Sequence, residues 1–260
     1  SLEEKPDVHR TDFAGRVEAV VVEQDGPVRA VVRLTGRYTG EGRQWLPFTV
    51  RLYFHAGSPS VRIMHTFIFD GDETKDFISG LSVKAMVPMK DELHNRHVRF
   101  SGQDGGVWGE AVRSITGLRR SSGRDLEAAQ VAGKFVDASK LPGQFPKELK
   151  WVPPWAEFTL SQPTPDGYSI TKRTEPGHGW IGSTADRRAS GLGYLGGVSG
   201  GVALGMKDFW QRYPARIDVR GATEAEASLT MWMWAPDAPA MDLRTYRSDM
   251  GMDTYEKQNE

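Results

Sequence analysis

The sequence has 260 residues, 38% of them hydrophobic and 26% charged, and its 33 basic and 34 acidic side chains leave a formal charge of −1. That balance excludes the basic footprint of a nucleic-acid binder and the polybasic patch of a membrane anchor, and no run approaches the roughly 18 apolar residues of a membrane helix. With no Cys there is no disulfide framework, no thiolate nucleophile and no Cys-based zinc site, while 29 Gly, 15 Pro and 8 Trp describe a turn-rich, all-β chain.

Taken in chain order, residues 1–12 are polar and read as a linker from a missing upstream domain. They hold no apolar signal-peptide run, so if the product is exported its targeting segment is already gone. Residues 17–23 and 28–34 are β-branched runs around Asp25-Gly26, which predicts a hairpin with the glycine at φ > 0. Residues 37–44 read as a Gly-rich connection. A second hairpin is expected from residues 48–55 and 61–69 around Gly57-Ser58-Pro59. In the register this turn implies, Tyr53, Ile63, Phe67 and Phe69 share one face and Val50, Leu52, Phe54, Met64 and Ile68 the other. Two apolar faces place the pair centrally in a layered structure, with Arg51 and His65 as neighbouring polar groups at a strand end.

Residues 70–76 form an acidic, solvated turn that lacks the spacing of a calcium loop, and a strand follows to residue 87. His94 and His97 lie three apart, but Val98-Arg99-Phe100 reads as strand and no third ligand is in view, so no metal site is predicted. Another strand is expected over 105–115, a short helix over 124–132, and a long irregular stretch over 133–154, of a kind that tends to be functional. Further strands are expected at 156–161, 168–173, 200–206, 215–219 and 227–234. In the last, Leu229, Met231 and Met233 alternate with Thr230, Trp232 and Trp234. About ten to twelve strands with almost no helix predict a large antiparallel β-sandwich. It is expected over residues 13–240, with 241–260 a linker toward a missing C-terminal helical domain.

The searchable enzyme signatures, a Ser nucleophile elbow, a Walker loop and a zinc-protease motif, are missing. Residues 191–196 have the outline GxGxxG, but no parallel sheet or following helix accompanies it. No cofactor and no catalytic residue is predicted. The chemistry-bearing stretch is 178–214, where His178, Trp180, Arg187, Arg188, Lys207, Asp208, Trp210 and Arg212 are candidate substrate contacts, threaded by glycines. Flat aromatic faces suit the C–H side of a sugar ring, and forked guanidinium donors suit its hydroxyls and carboxylates. The blander alternative makes Trp210 and Tyr213 core residues and pairs Arg212 with a surface acid.

Residues 200–214 (GGVALGMKDFWQRYP), the Arg188 to Gly191 element and residues 232–244 (WMWAPDAPAMDLR) resemble the central β-sandwich domain of exo-rhamnogalacturonan lyase-like proteins, the PcRGLX/YetA-like family. The 48–70 hairpin resembles theirs as well. The resemblance implies a galactose mutarotase-like supersandwich flanked by an N-terminal β domain and a helical toroid, in an exported polysaccharide lyase that acts by β-elimination beside a uronate carboxylate. Its partners would be an acidic polysaccharide and the flanking domains of the same polypeptide. Two alternatives stand beside it. One is a stand-alone carbohydrate-binding module using Trp232, Trp234 or the Trp151/Trp155 loop; the other is a mutarotase-like epimerase pairing His178 with Glu175 or Asp208.

Overall fold

The computed structural model describes residues 9–117 and 122–246, so residues 1–8 and 247–260 of the two expected linkers lie outside the described residues. Where the sequence reads one stack over 13–240, the chain divides into two compact units, Ser1–Phe77 with Asp242–Glu260, and Ile78–Met241.

The first unit is an antiparallel meander of β1 (Ala14–Asp25), β2 (Arg29–Gly40), β3 (Arg43–His55) and β4 (Val61–Phe67), with β1 and β4 at the edges. The first hairpin forms as expected, Asp25 opposite Ala30. Gly26, however, is not among the residues with positive φ, because Pro27 forces the residue before it into extended backbone. Positive φ appears instead at Glu41 (45°) and Gly42 (77°), the two-residue loop that joins Gly40 to Arg43. The expected connection 37–44 is therefore strand and primed hairpin turn. β1 carries two bulges, which leave Glu18 and Glu23 without a partner position on β2. A third bulge in β3 puts Leu46 at φ 46°. Its amide donates to Asp70 Oδ1 (2.7 Å), and Asp70 Oδ2 accepts from Arg37 (2.8 Å). Burial pushes the Asp70 carboxyl up, but these donors outweigh it and hold the group below the usual carboxylate range.

The second hairpin forms one residue out of the expected register. Phe54 opposes Val61, Leu52 opposes Ile63 and Phe48 opposes Phe67, so Ile63 and Phe67 share a face with Val50, Leu52 and Phe54, while Tyr53 and Met64 lie on the other. Arg51 and His65 consequently point to opposite faces: Arg51 binds Glu23 (2.7 Å) and His65 binds the Tyr38 hydroxyl (3.0 Å). Nor is the pair central, since β4 is an edge strand with Val61, Ile63 and Met64 exposed.

The second unit is a β-sandwich. One sheet has the order β10 (Ile181–Asp186), β9 (Gly167–Arg173), β8 (Glu157–Thr164), β13 (Ala215–Arg220), β14 (Glu226–Trp234), β5 (Leu81–Pro88); the other is β12 (Gly200–Gly205), β11 (Leu192–Gly197), β6 (Arg96–Ser101), β7 (Val107–Ala111). Every pairing is antiparallel. Between the sheets Val98, Phe100 and Leu195 meet Phe158, Leu160, Ile170, Ile217 and Leu229, all fully buried. Removing one such phenyl ring costs about 3–5 kcal/mol, which is why this pairing of sheets is fixed. β10 and β11 were not expected from the sequence. The GxGxxG outline is strand β11, where a Cβ on Gly193 would lie 2.7 Å from Ile217 Cγ2: the glycine serves sheet-to-sheet approach rather than a phosphate.

Between β7 and β8 runs the excursion expected as a helix plus loop. It contains α1 (Arg124–Val131), α2 (Phe145–Glu148) and short 3-10 turns around its own apolar cluster of Ile115, Val136, Leu141, Phe145 and Leu149. Gln130 fastens it, accepting from the Ile115 amide (2.9 Å) and donating to the carbonyls of His94 (2.8 Å) and Arg113 (3.1 Å).

Candidate functional site

Three connections of the second unit converge to form a groove of about 480 Å³: the 3-10 turn Gln103–Gly105 after β6, residues 187–191 between β10 and β11, and residues 206–214 between β12 and β13. The floor is made by Phe209, which is buried against Gly191. A Cβ at Gly191, whose φ is 81°, would meet Phe209 Cβ at 2.1 Å, so only glycine lets the two connections close together. Backbone bonds complete the join: Ser190 donates through N (3.1 Å) and Oγ (2.8 Å) to the Gly102 carbonyl, and the Met206 amide donates to the Gly191 carbonyl (2.9 Å).

Underneath lies Gln162 of β8, fully buried. Its Oε1 accepts from the Ala189 amide (2.9 Å) and its Nε2 donates to the carbonyls of Arg187 (2.9 Å) and Thr164 (2.7 Å). One amide side chain thereby fixes the backbone that presents Arg187 and Arg188.

At the surface Arg188 lies over the Trp210 indole, 4.2 Å from guanidinium carbon to ring centroid. Asp166, from the β8–β9 turn, accepts from Arg187 (3.1 Å) and from Arg188 (2.9 Å). One carboxylate therefore serves two guanidinium groups, each of which carries five donors. Being exposed, these ion pairs orient more than they stabilise, at about 0–1 kcal/mol each. Asp104 (φ 53°) and Asp208 (φ 58°) also line the groove, both in the left-handed backbone region that Asp tolerates better than most residues. Gln103, Ser190 and Gln211 complete the lining.

Of the eight residues singled out in the sequence, Arg187, Arg188, Asp208 and Trp210 come together in this groove. Lys207 and Arg212 flank it; the Arg212 Nε folds back onto the Lys207 carbonyl (3.1 Å). His178 and Trp180 do not join. They precede β10 whereas Arg187 follows it, so a six-residue strand separates them by about 20 Å. Trp180 instead packs under the guanidinium groups of Arg173 (4.5 Å) and Arg220 (5.1 Å). His178 is exposed, with Thr174 Oγ1 at 2.9 Å and Glu175 at 3.8 Å. His178 and Glu175 thus form an exposed pair, and Asp208 lies with Arg187 in the groove beyond the other end of β10.

The tryptophans considered as a binding platform differ in how they are engaged. Trp232 donates to Asp218 (2.9 Å) and Trp234 to the Pro239 carbonyl (3.0 Å). A register shift between them breaks the expected alternation of β14. Lys172 covers Trp155 at 4.1 Å, whereas Trp151 is 75% exposed. Sequence reasoning missed Gln103, Asp104, Asp166, Ser190 and Gln162. Only the Pro165-Asp166-Gly167 turn carried a signal, and it marked a bend rather than a partner for two arginines.

Two antiparallel sheets facing one another, with an arginine–tryptophan groove built from their connections, define a β-sandwich with a polar surface site. Over residues 1–260 the chain matches the family described as PcRGLX-like protein central beta sandwich domain, and it belongs to that family. A curated relative is the "Uncharacterized protein YetA" of Bacillus subtilis (strain 168). It is 33% identical over 233 residues, 88% of this chain and 27% of the relative, so the chain spans about a quarter of the relative's length.

Proposed function

We propose that this chain is the accessory sandwich of a multidomain polysaccharide lyase and that its Arg187–Arg188–Trp210 groove holds an acidic sugar of the polymer, such as a rhamnogalacturonan uronate. The observation that carries this reading is the sharing of Asp166 between two guanidinium groups beside an indole. Spare forked donors suit a uronate carboxylate, and the aromatic edge suits the apolar side of a pyranose.

β-Elimination requires a base at the proton α to the carboxylate and cations to stabilise the charge that develops there. The groove supplies cations, and on this reading the base comes from another part of the complete gene product. With a polymer as substrate, the protein is on the same reading expected to act outside the cytoplasm, which cell fractionation checks.

The test is calorimetry with a galacturonate-containing oligosaccharide. Arg188→Ala is expected to weaken binding about ten-fold, equivalent to about 1.4 kcal/mol, with Arg187→Ala weakening it less. The absorbance of the unsaturated uronate product should appear with the complete gene product and not with this chain. Robust elimination by the chain alone would overturn the accessory role. Binding that both substitutions leave unchanged would remove the groove from the account.

A further inference from the structure

We propose that the apolar face of the sheet β1–β4 is the docking surface for a flanking domain of the same polypeptide, whatever the groove of the other unit binds. Opposed residues across an antiparallel pair share a face, and the registers assemble that face in successive rungs. Val20, Leu34 and Val50 share a rung with His65; Val22, Val32, Leu52 and Ile63 form the next; Ala30, Phe54 and Val61 close it. Val20 (60%), Val22 (59%), Ile63 (45%), Val61 (42%) and Phe54 (39%) are open to solvent.

The opposite face carries the charges. Glu23 bridges Arg33 (3.0 Å) and Arg51 (2.7 Å), beside a rung of Thr35, Thr49 and Thr66. Single exposed valines need no explanation. The opposite face also holds Val21, Val31, Tyr53 and Met64, but they are interspersed with Gln24, Arg33, Arg51, Arg62 and the threonines. An apolar surface continuous across four strands, backed by this mixed, mostly polar one, has the composition of an interface that has lost its other half.

The occupant follows from chemistry and from length. The face carries no charged side chain apart from Asp25 at its end, so it fits an uncharged aliphatic or aromatic surface rather than an ionic partner. The family is described as a central domain, and 27% of the Bacillus relative is covered by the match, so flanking chain exists in such proteins. A tethered domain meets the face at high effective concentration. A largely aliphatic face with one phenylalanine, without the tryptophan or arginine anchors of a separate partner's hot spot, is sufficient for a partner held in that way.

Carbene footprinting tests this, comparing this chain with the complete gene product. Labelling of Val20, Val61 and Ile63 is expected to fall at least about five-fold in the complete product, as burial in a standard interface would produce. The double variant Val20→Lys with Ile63→Lys should restore labelling there while leaving the unfolding midpoint of the isolated chain unchanged, because in that chain both positions already face water. Ala19→Lys, on the polar face, should alter neither quantity. Equal labelling in both proteins would overturn the proposal. So would a face already protected in the isolated chain at low concentration, which would assign it to residues 78–241. Protection that rises with concentration together with a sedimenting dimer would assign it to a second copy, again overturning the proposal.

Discussion

Gln162 shows how much of the groove rests on a residue that never reaches it. Fully buried, it satisfies the Ala189 amide and the Arg187 carbonyl of the chain that presents the arginines, and the Thr164 carbonyl of its own strand. Gln162→Leu keeps the volume but leaves these groups unpaired, at a cost of about 3 kcal/mol, readable as a lower urea midpoint. Sugar binding should weaken with it, since the arginines lose their fixed backbone. Nothing in the sequence set Gln162 apart: it is one polar residue in an alternating strand, and its partners at Arg187 and Ala189 become neighbours only when β8 packs beneath the β10–β11 connection. His97, on β6, is buried with its Nε2 unpartnered. Burial, reinforced by Arg99, pulls its pKa down from 6.5 to about 4. A depressed imidazole is neutral when folded and protonates first when unfolded. Its contribution is therefore intact above about pH 6.5 and is lost progressively as pH falls toward 4, by up to about 3 kcal/mol. Urea midpoints measured from pH 7.5 to 4.5 should show the decline, and His97→Leu should flatten it. Burial also lowers His65, so part of the slope should survive in that variant.

At the scale of elements, legibility followed side-chain type. β1, β2, β8, β9, β13 and β14 were readable because β-branched and aromatic residues mark strands directly. β10 and β11 were not, because Gly182, Ser183, Thr184 and Ala185, then Gly193, Gly196 and Gly197, give no such density. In β11 the glycines are there because backbone and side chains of neighbouring elements approach them closely, whereas Gly182 of β10 faces open space. The β3–β4 register failed for another reason. Alternation fixes which residues share a strand face, but the number of residues in the turn fixes which faces match, and that turn gave no parity signal. The Leu46 bulge was equally hidden, since its acceptor lies 24 residues away. Asp70→Ala removes that acceptor and the partner of Arg37 and is expected to destabilise the protein by about 1–2 kcal/mol. Asp70→Asn, which can still accept from Leu46, should cost less. Denaturation of both variants checks the order.

For the whole molecule, sequence patterning established an antiparallel β fold built of sandwich layers, and the residue runs at 48–70, 200–214 and 232–244 pointed to the family that the full-length match establishes. Its division into two units was not readable, because the boundary near Phe77 and Ile78 lies inside one uninterrupted strand-like run. The site was half legible for a geometric reason: a list of suitable residues within a short window ignores the strand that runs through it, and β10 carries Trp180 and Arg187 to opposite ends. Arg187, Arg188, Asp208 and Trp210 were brought together by two connections packing through Gly191 and Phe209, a contact visible only in three dimensions.

The two bulges of β1 have one more effect. Both fall at glutamates, Glu18 and Glu23, in a strand that otherwise reads as a run of valines with an open row of backbone groups on the outer side. Each interrupts that row. An incoming strand thus meets a broken template, so two kinks in the first strand work against edge-to-edge pairing of copies.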